Sequence, residues 1–183
     1  MAFVTRTLLD HGLLHNDVST VFGTGMEDYT KEPKLIDGRI EYVEGPSESL
    51  NTSIIRSCKE PFNSSGGLKV LSGNMGVAVI KTSAVADKYL IIEEDVIVFD
   101  DQEQLIKLYK EGGLERNFIA VIPFQGPTQK GMPELHNLTP TLTVLQKKGY
   151  NVALVTDGRM SGASGKVPAA IHLSPEAALG GLI

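Results

Sequence analysis

Between Asp95 and Thr156 the chain alternates short apolar runs of strand length with amphipathic runs of helix length, and this order leaves few folds open. The runs VIVF, NFIAVIPF and YNVALVT are rich in β-branched residues and bounded by polar or turn-forming residues, the pattern of buried strands. Between the first two lies DDQEQLIKLYKEGG, with Asp100 and Asp101 as capping candidates, Leu105, Ile106 and Leu108 as its apolar stripe, and Gly112 and Gly113 as a stop. Between the last two lies TPTLTVLQKKG, with Thr139 placed as N-cap, Pro140 at the first helical position and Gly149 as the stop. Two strand–helix–strand units in succession imply parallel strands joined by right-handed crossovers.

The sequence upstream has a different period. LKVL, GVAVIKTS and YLIIEEDVIVF, from Gly67 to Phe99, are separated by glycines and polar turns and predict antiparallel or mixed strands. Two kinds of sheet in one α/β domain are therefore expected. Phe3 to Leu14 predicts a short amphipathic helix, on which His11 and His15 would share a face. From Val21 to Asn51 glycines and prolines punctuate short apolar pieces such as Arg39 to Val43, the signature of a connecting region with a hairpin.

Composition narrows the function. The 183 residues carry 42% hydrophobic and 21% charged residues, which describes a globular chain rather than a disordered one. The net charge of −5 and the absence of a Lys/Arg run argue against a nucleic-acid partner, because phosphate affinity needs a basic face. No run approaches the roughly 20 apolar residues of a membrane-spanning helix, and the N-terminal segment has no secretory pattern, so a cytoplasmic protein without a membrane partner is expected. Cys58 is the single cysteine, so no Cys-rich zinc or iron–sulfur cage can be built from this chain alone.

Two loops leave the carboxyl ends of the predicted parallel strands, where open α/β sheets collect ligands. In QGPTQKGMPELHN, Glu134 follows Gly131, Met132 and Pro133 and reads either as a surface carboxylate or helix cap, or as a hard-cation ligand or acid–base group. In DGRMSGASGKVPAA, glycines interleave with Ser161, Ser164 and Lys166, either a plain glycine-rich turn or a cradle for phosphate or carboxylate. It is not a Walker A loop, since Val167 stands after the lysine where Ser or Thr is required, nor a nucleophile elbow, since Arg159 and Ala163 flank Ser161 where glycines are required. Asp157 and Arg159 read as residues that pair or cap within this loop.

Together these loops carry a resemblance. GNMGVAVIKTSAV, QGPTQKGMPELHNLTPTL and VALVTDGRMSGASGKVPAAIHLSPEA resemble the C-terminal part of the dihydroxy-acid dehydratase and 6-phosphogluconate dehydratase family, with wording closest to the 6-phosphogluconate branch. The resemblance covers most of the chain and is weakest from Glu27 to Ser65. It implies a swivelling β/β/α domain over residues 51–183, truncated at its C-terminal end, preceded over 1–50 by a helix and linker from the region before it. It also implies an N-terminal domain of the same protein that carries the iron–sulfur cluster ligands and most ligands of a Mg²⁺ ion, and a homodimer when full-length.

The implied reaction is dehydration of a sugar-acid phosphate, 6-phospho-D-gluconate, to 2-dehydro-3-deoxy-6-phosphogluconate. In it the cluster acts on the departing C3 hydroxyl, Mg²⁺ holds the carboxylate and C2 hydroxyl, and a serine alkoxide removes the C2 proton. Carried over by residue, the base falls on Ser161 and the Mg²⁺ ligand on Glu134. Gly162 and Ser164 are then expected at the substrate carboxylate and Lys166 at the 6-phosphate. The alternatives are a dehydratase of the same family for another sugar acid or a 2,3-dihydroxy acid, and a binding module without chemistry. The chain alone is expected to be inactive.

Overall fold

A six-stranded mixed sheet organises residues 65–183 in the computed structural model, which describes residues 1–161 and 166–183. In the N-terminal unit, residues 1–64, helix α1 (Ala2–Asp10) precedes a two-residue ladder of β1 (Ser19–Thr20) with β2 (Gly23–Thr24). A hairpin of β3 (Lys31–Ile36) and β4 (Arg39–Glu44) follows. Asp37 and Gly38, both at positive φ, make its two-residue turn, the backbone that matches strand twist in a tight hairpin. Arg6 on α1 donates to the Gly45 and Thr30 carbonyls at 3.1 and 3.3 Å and to the Glu44 carboxylate at 2.6 Å, tying helix to hairpin.

The second unit holds β5 (Leu68–Gly73), β6 (Gly76–Lys81), β7 (Val96–Val98), helix α2 (Gln102–Lys110), β8 (Phe118–Ile122), helix α3 (Leu138–Lys147), β9 (Val152–Thr156) and β10 (Ala169–Ser174). The strand order is β5-β6-β10-β9-β8-β7. β7, β8, β9 and β10 run parallel to their neighbours, while β10 pairs antiparallel with β6 and β6 with β5. The two strand patterns expected as two sheets are therefore one sheet, because β10 has a parallel ladder on one edge and an antiparallel ladder on the other.

The period-2 alternation of β8 sorts its side chains: Phe118, Ala120 and Ile122 meet Leu105 of α2 and Leu138, Leu142 and Leu145 of α3, together with Val152 and Leu154 of β9. All nine are fully buried, and each large apolar side chain so buried stabilises by roughly 1.5–3 kcal/mol relative to exposure. Val121 faces the other way, with Ala78, Leu173 and Ile183.

Local structure departs from the sequence expectations at three helices or strands. α1 ends at Asp10, with His11 as its C-cap and Gly12 at φ +64°, so His15 lies beyond the helix and shares no face with His11. α3 begins at Leu138 rather than after Thr139, because the Leu138 and Thr139 amides already bond to the Leu135 and His136 carbonyls, and its N-cap Asn137 makes no side-chain cap. Pro140 still falls in the first turn, where its missing N–H has no intrahelical acceptor to lose. Of YLIIEEDVIVF only Val96–Val98 is a strand, and Asp87–Tyr89 forms a short 3₁₀ turn. α2 starts as expected: Asp101 is the N-cap, and its carboxylate accepts the Gln104 amide at 2.9 Å.

Candidate active site

The parallel ladder pairs Ile122 with Thr156, so β8 and β9 end side by side and both candidate loops leave the same rim of the sheet. Thr156 is buried and fixes that rim: its hydroxyl donates to the Ile122 carbonyl at 2.7 Å and accepts the Gly158 amide at 3.0 Å. A side chain at Gly158 has no space, since its Cβ would stand 2.5 Å from the Gln125 Cβ. Glycine is required there by the close approach of two segments of the chain.

Glu134 and Ser161 meet directly. The Ser161 amide donates to Glu134 Oε1 at 2.7 Å, and Arg159 Nη1 lies 3.5 Å from Oε2. Arg159 also donates through Nε to the Met132 carbonyl at 2.7 Å, and its own carbonyl accepts the Leu135 amide at 3.2 Å, a local parallel bridge between the two loops. Glu134 is thus neither a free surface carboxylate nor the cap of α3. Met132 holds a positive φ of 56°, an uncommon conformation for a non-glycine residue, in the turn that aims Glu134 at the neighbouring loop. Met160, between the two polar contacts, is buried in the main core and anchors the Ser161 backbone from below.

Lys166 is exposed, and its carbonyl accepts from Gln146 Nε2, in the last turn of α3, at 3.2 Å. Gly162 and Ser164 lie outside the described residues.

Two residues of this rim carry no distinguishing sequence signal. Asp157, read as pairing or capping within its own loop, instead accepts the Gln125 amide at 2.8 Å and the Ala177 amide at 3.1 Å, from two other segments. Glu176, buried after β10, accepts the Thr128 amide at 3.1 Å and makes a short hydrogen bond with the Thr128 hydroxyl. A cavity of about 450 Å³ opens beside them, with Met132, Asp157, His172 and Glu176 in its wall.

The metal chemistry available to this rim is limited. Among the described residues no cluster of three or more His, Cys, Asp or Glu side chains could hold a metal ion. Glu134 fits as one ligand of a hard cation: its side chain is 36% exposed, and Oε2 meets Arg159 only at a long 3.5 Å. An iron–sulfur cluster does not fit the residues present, because Cys58 is the only thiol and lies exposed in the N-terminal unit.

The rim has polar loops at the carboxyl ends of parallel strands, the place where α/β domains collect ligands, and a carboxylate bonded to the backbone of a serine. The family model described as "Dihydroxy-acid/6-phosphogluconate dehydratase C-terminal" matches residues 53–183, and the chain belongs to this family. It is 57% identical over 181 residues to the phosphogluconate dehydratase of Pseudomonas aeruginosa, covering 99% of this chain and 30% of the relative. It is 54% identical to that of Helicobacter pylori, covering 100% and 31%, and 34% identical to the dihydroxy-acid dehydratase of Desulfatibacillum aliphaticivorans, covering 98% and 30%. The chain spans about a third of the length of these relatives. Among the described residues no helix is long and apolar enough to cross a membrane.

Proposed function

We propose that this chain is the C-terminal part of a 6-phosphogluconate dehydratase, a hydro-lyase that converts 6-phospho-D-gluconate to 2-dehydro-3-deoxy-6-phosphogluconate. The observation that carries the reading is the 2.7 Å contact of the Ser161 amide with Glu134, which joins the two residues assigned as base and metal ligand. The gap between 57% and 34% identity favours the phosphorylated sugar acid over a branched dihydroxy acid. Residues 51–183 form the swivelling domain in this reading. The cluster ligands and the remaining Mg²⁺ ligands belong to polypeptide outside these residues, and the full-length protein is a cytoplasmic homodimer.

Ser161 holds the proton-transfer role. Its oxygen takes the C2 proton, the C3 hydroxyl leaves, and the net products are water and an enol that ketonises to the 2-keto acid. Bound Mg²⁺ would supply charge that acidifies C2 and favours the serine alkoxide, with Glu134 as this chain's ligand to it. Because Glu134 also accepts the Ser161 amide, the ligand fixes the backbone of the base. Gly162 and Ser164 bond the substrate carboxylate through backbone N–H and hydroxyl. Lys166, an exposed point-charge cation, contacts the 6-phosphate in this reading.

In the full-length protein, Ser161→Ala is expected to lower kcat by about 10²–10⁴-fold with substrate still bound, the range for loss of a general base. Single-turnover kinetics alongside equilibrium binding measure both quantities. Near-normal turnover would remove Ser161 as the base.

A further inference from the structure

Asp157 is 1% exposed and stands where three strands end. Its Oδ1 accepts the amide of Gln125, at the start of the loop that leads to Glu134, and its Oδ2 accepts the amide of Ala177, three residues beyond β10. Asp157 itself opens the loop that reaches Ser161. The ion pairs among the described residues do not include it, and its two oxygens are met by backbone amide donors. An uncharged isostere cannot do the same: Asn accepts through one oxygen only and would turn an N–H against the second amide donor.

The next contacts along both loops converge on the proposed catalytic pair. From Asp157 the path runs through Gly158, whose carbonyl accepts the His172 amide at 2.9 Å, to Arg159 and Ser161. From Gln125 it runs through the turn closed on the Gly126 carbonyl, by the Lys130 and Gly131 amides at 3.2 and 3.1 Å, to Met132 and Glu134. Glu176 braces the same turn at Thr128.

We propose that Asp157 is a positioning residue: its two carboxylate oxygens staple the start of the Glu134 loop and the segment after β10 to the start of the Ser161 loop, and so set the Glu134–Ser161 contact. This rests on the reading of Glu134 and Ser161 given above.

The test compares Asp157→Asn with Val152→Ala, a core truncation at the opposite end of β9, in the full-length protein. Steady-state kinetics and amide hydrogen exchange of segments 125–134 and 157–161 are read in both. For Asp157→Asn we expect kcat to fall at least tenfold with KM within about twofold, and exchange in both segments to rise, while Val152→Ala, at an equal loss of melting temperature, changes neither. If Asp157→Asn does not yield folded protein, Ala177→Pro replaces it. That variant deletes the donor to Oδ2 at a position preceded by extended backbone, where proline is accommodated, and the same outcome is expected. A kcat and exchange pattern no different from Val152→Ala overturns the proposal. If the wild-type protein forms no keto acid, the dehydratase reading fails, and the staple is judged on exchange alone: faster exchange in both segments upholds it, and unchanged exchange overturns it.

Discussion

At the residue scale, Glu134 and Ser161 come from loops separated by a helix and a strand, and the structure joins them by a hydrogen bond from the Ser161 amide to the Glu134 carboxylate. The residue types were legible in the sequence, since a carboxylate behind Gly-Met-Pro and serines among glycines stand out from ordinary surface loops. Asp157 and Glu176 were not, because a buried acceptor for a distant backbone amide has the same local sequence as an exposed carboxylate; only the fold brings Gln125, Thr128 and Ala177 to them. Lys166→Ala in the full-length protein should raise KM for 6-phosphogluconate about tenfold or more, the cost of a hydrogen bond to a charged group, and KM for gluconate by less than twofold. Steady-state kinetics on both acids measure this, and equal effects on the two would remove the phosphate role.

At the scale of elements, α2 and α3 show why one helix start is readable and the other is not. Asp101 caps α2 through its own side chain, so the sequence signal and the physical cause are the same atom. α3 is started by backbone bonds to the turn at Leu135 and His136, a cause with no side-chain signature, and the Thr139-Pro140 pair points two residues too late. Asp101→Ala should therefore destabilise the protein by about 1 kcal/mol. Thermal unfolding followed by circular dichroism should show a melting temperature lower by roughly 2–4 °C, whereas Asn137→Ala, at a cap without a side-chain bond, should leave it nearly unchanged. β10 escaped the sequence pattern for a related reason: its register shifts between Ile171 and Ser174, and His172 takes a φ of +55°, which breaks the alternation that marks a regular strand.

At the scale of the whole molecule, the alternation of strands and helices predicted the parallel half of the sheet, and the β-branched runs upstream predicted the antiparallel half. Their union in one sheet depends on β10 pairing with β9 on one side and β6 on the other, a long-range choice that local sequence does not encode. The result places the loops after β8 and β9 on one rim, with Glu134 against Ser161, in a chain that belongs to the dihydroxy-acid/6-phosphogluconate dehydratase family. Under the proposed function, the polypeptide containing this chain removes water from 6-phosphogluconate. Anaerobic 2-keto acid formation by the full-length protein, with 6-phosphogluconate and 2,3-dihydroxyisovalerate compared side by side, is the decisive measurement. A higher kcat/KM for the phosphorylated sugar acid is expected; preference for the dihydroxy acid, or turnover of neither, would overturn the proposed function.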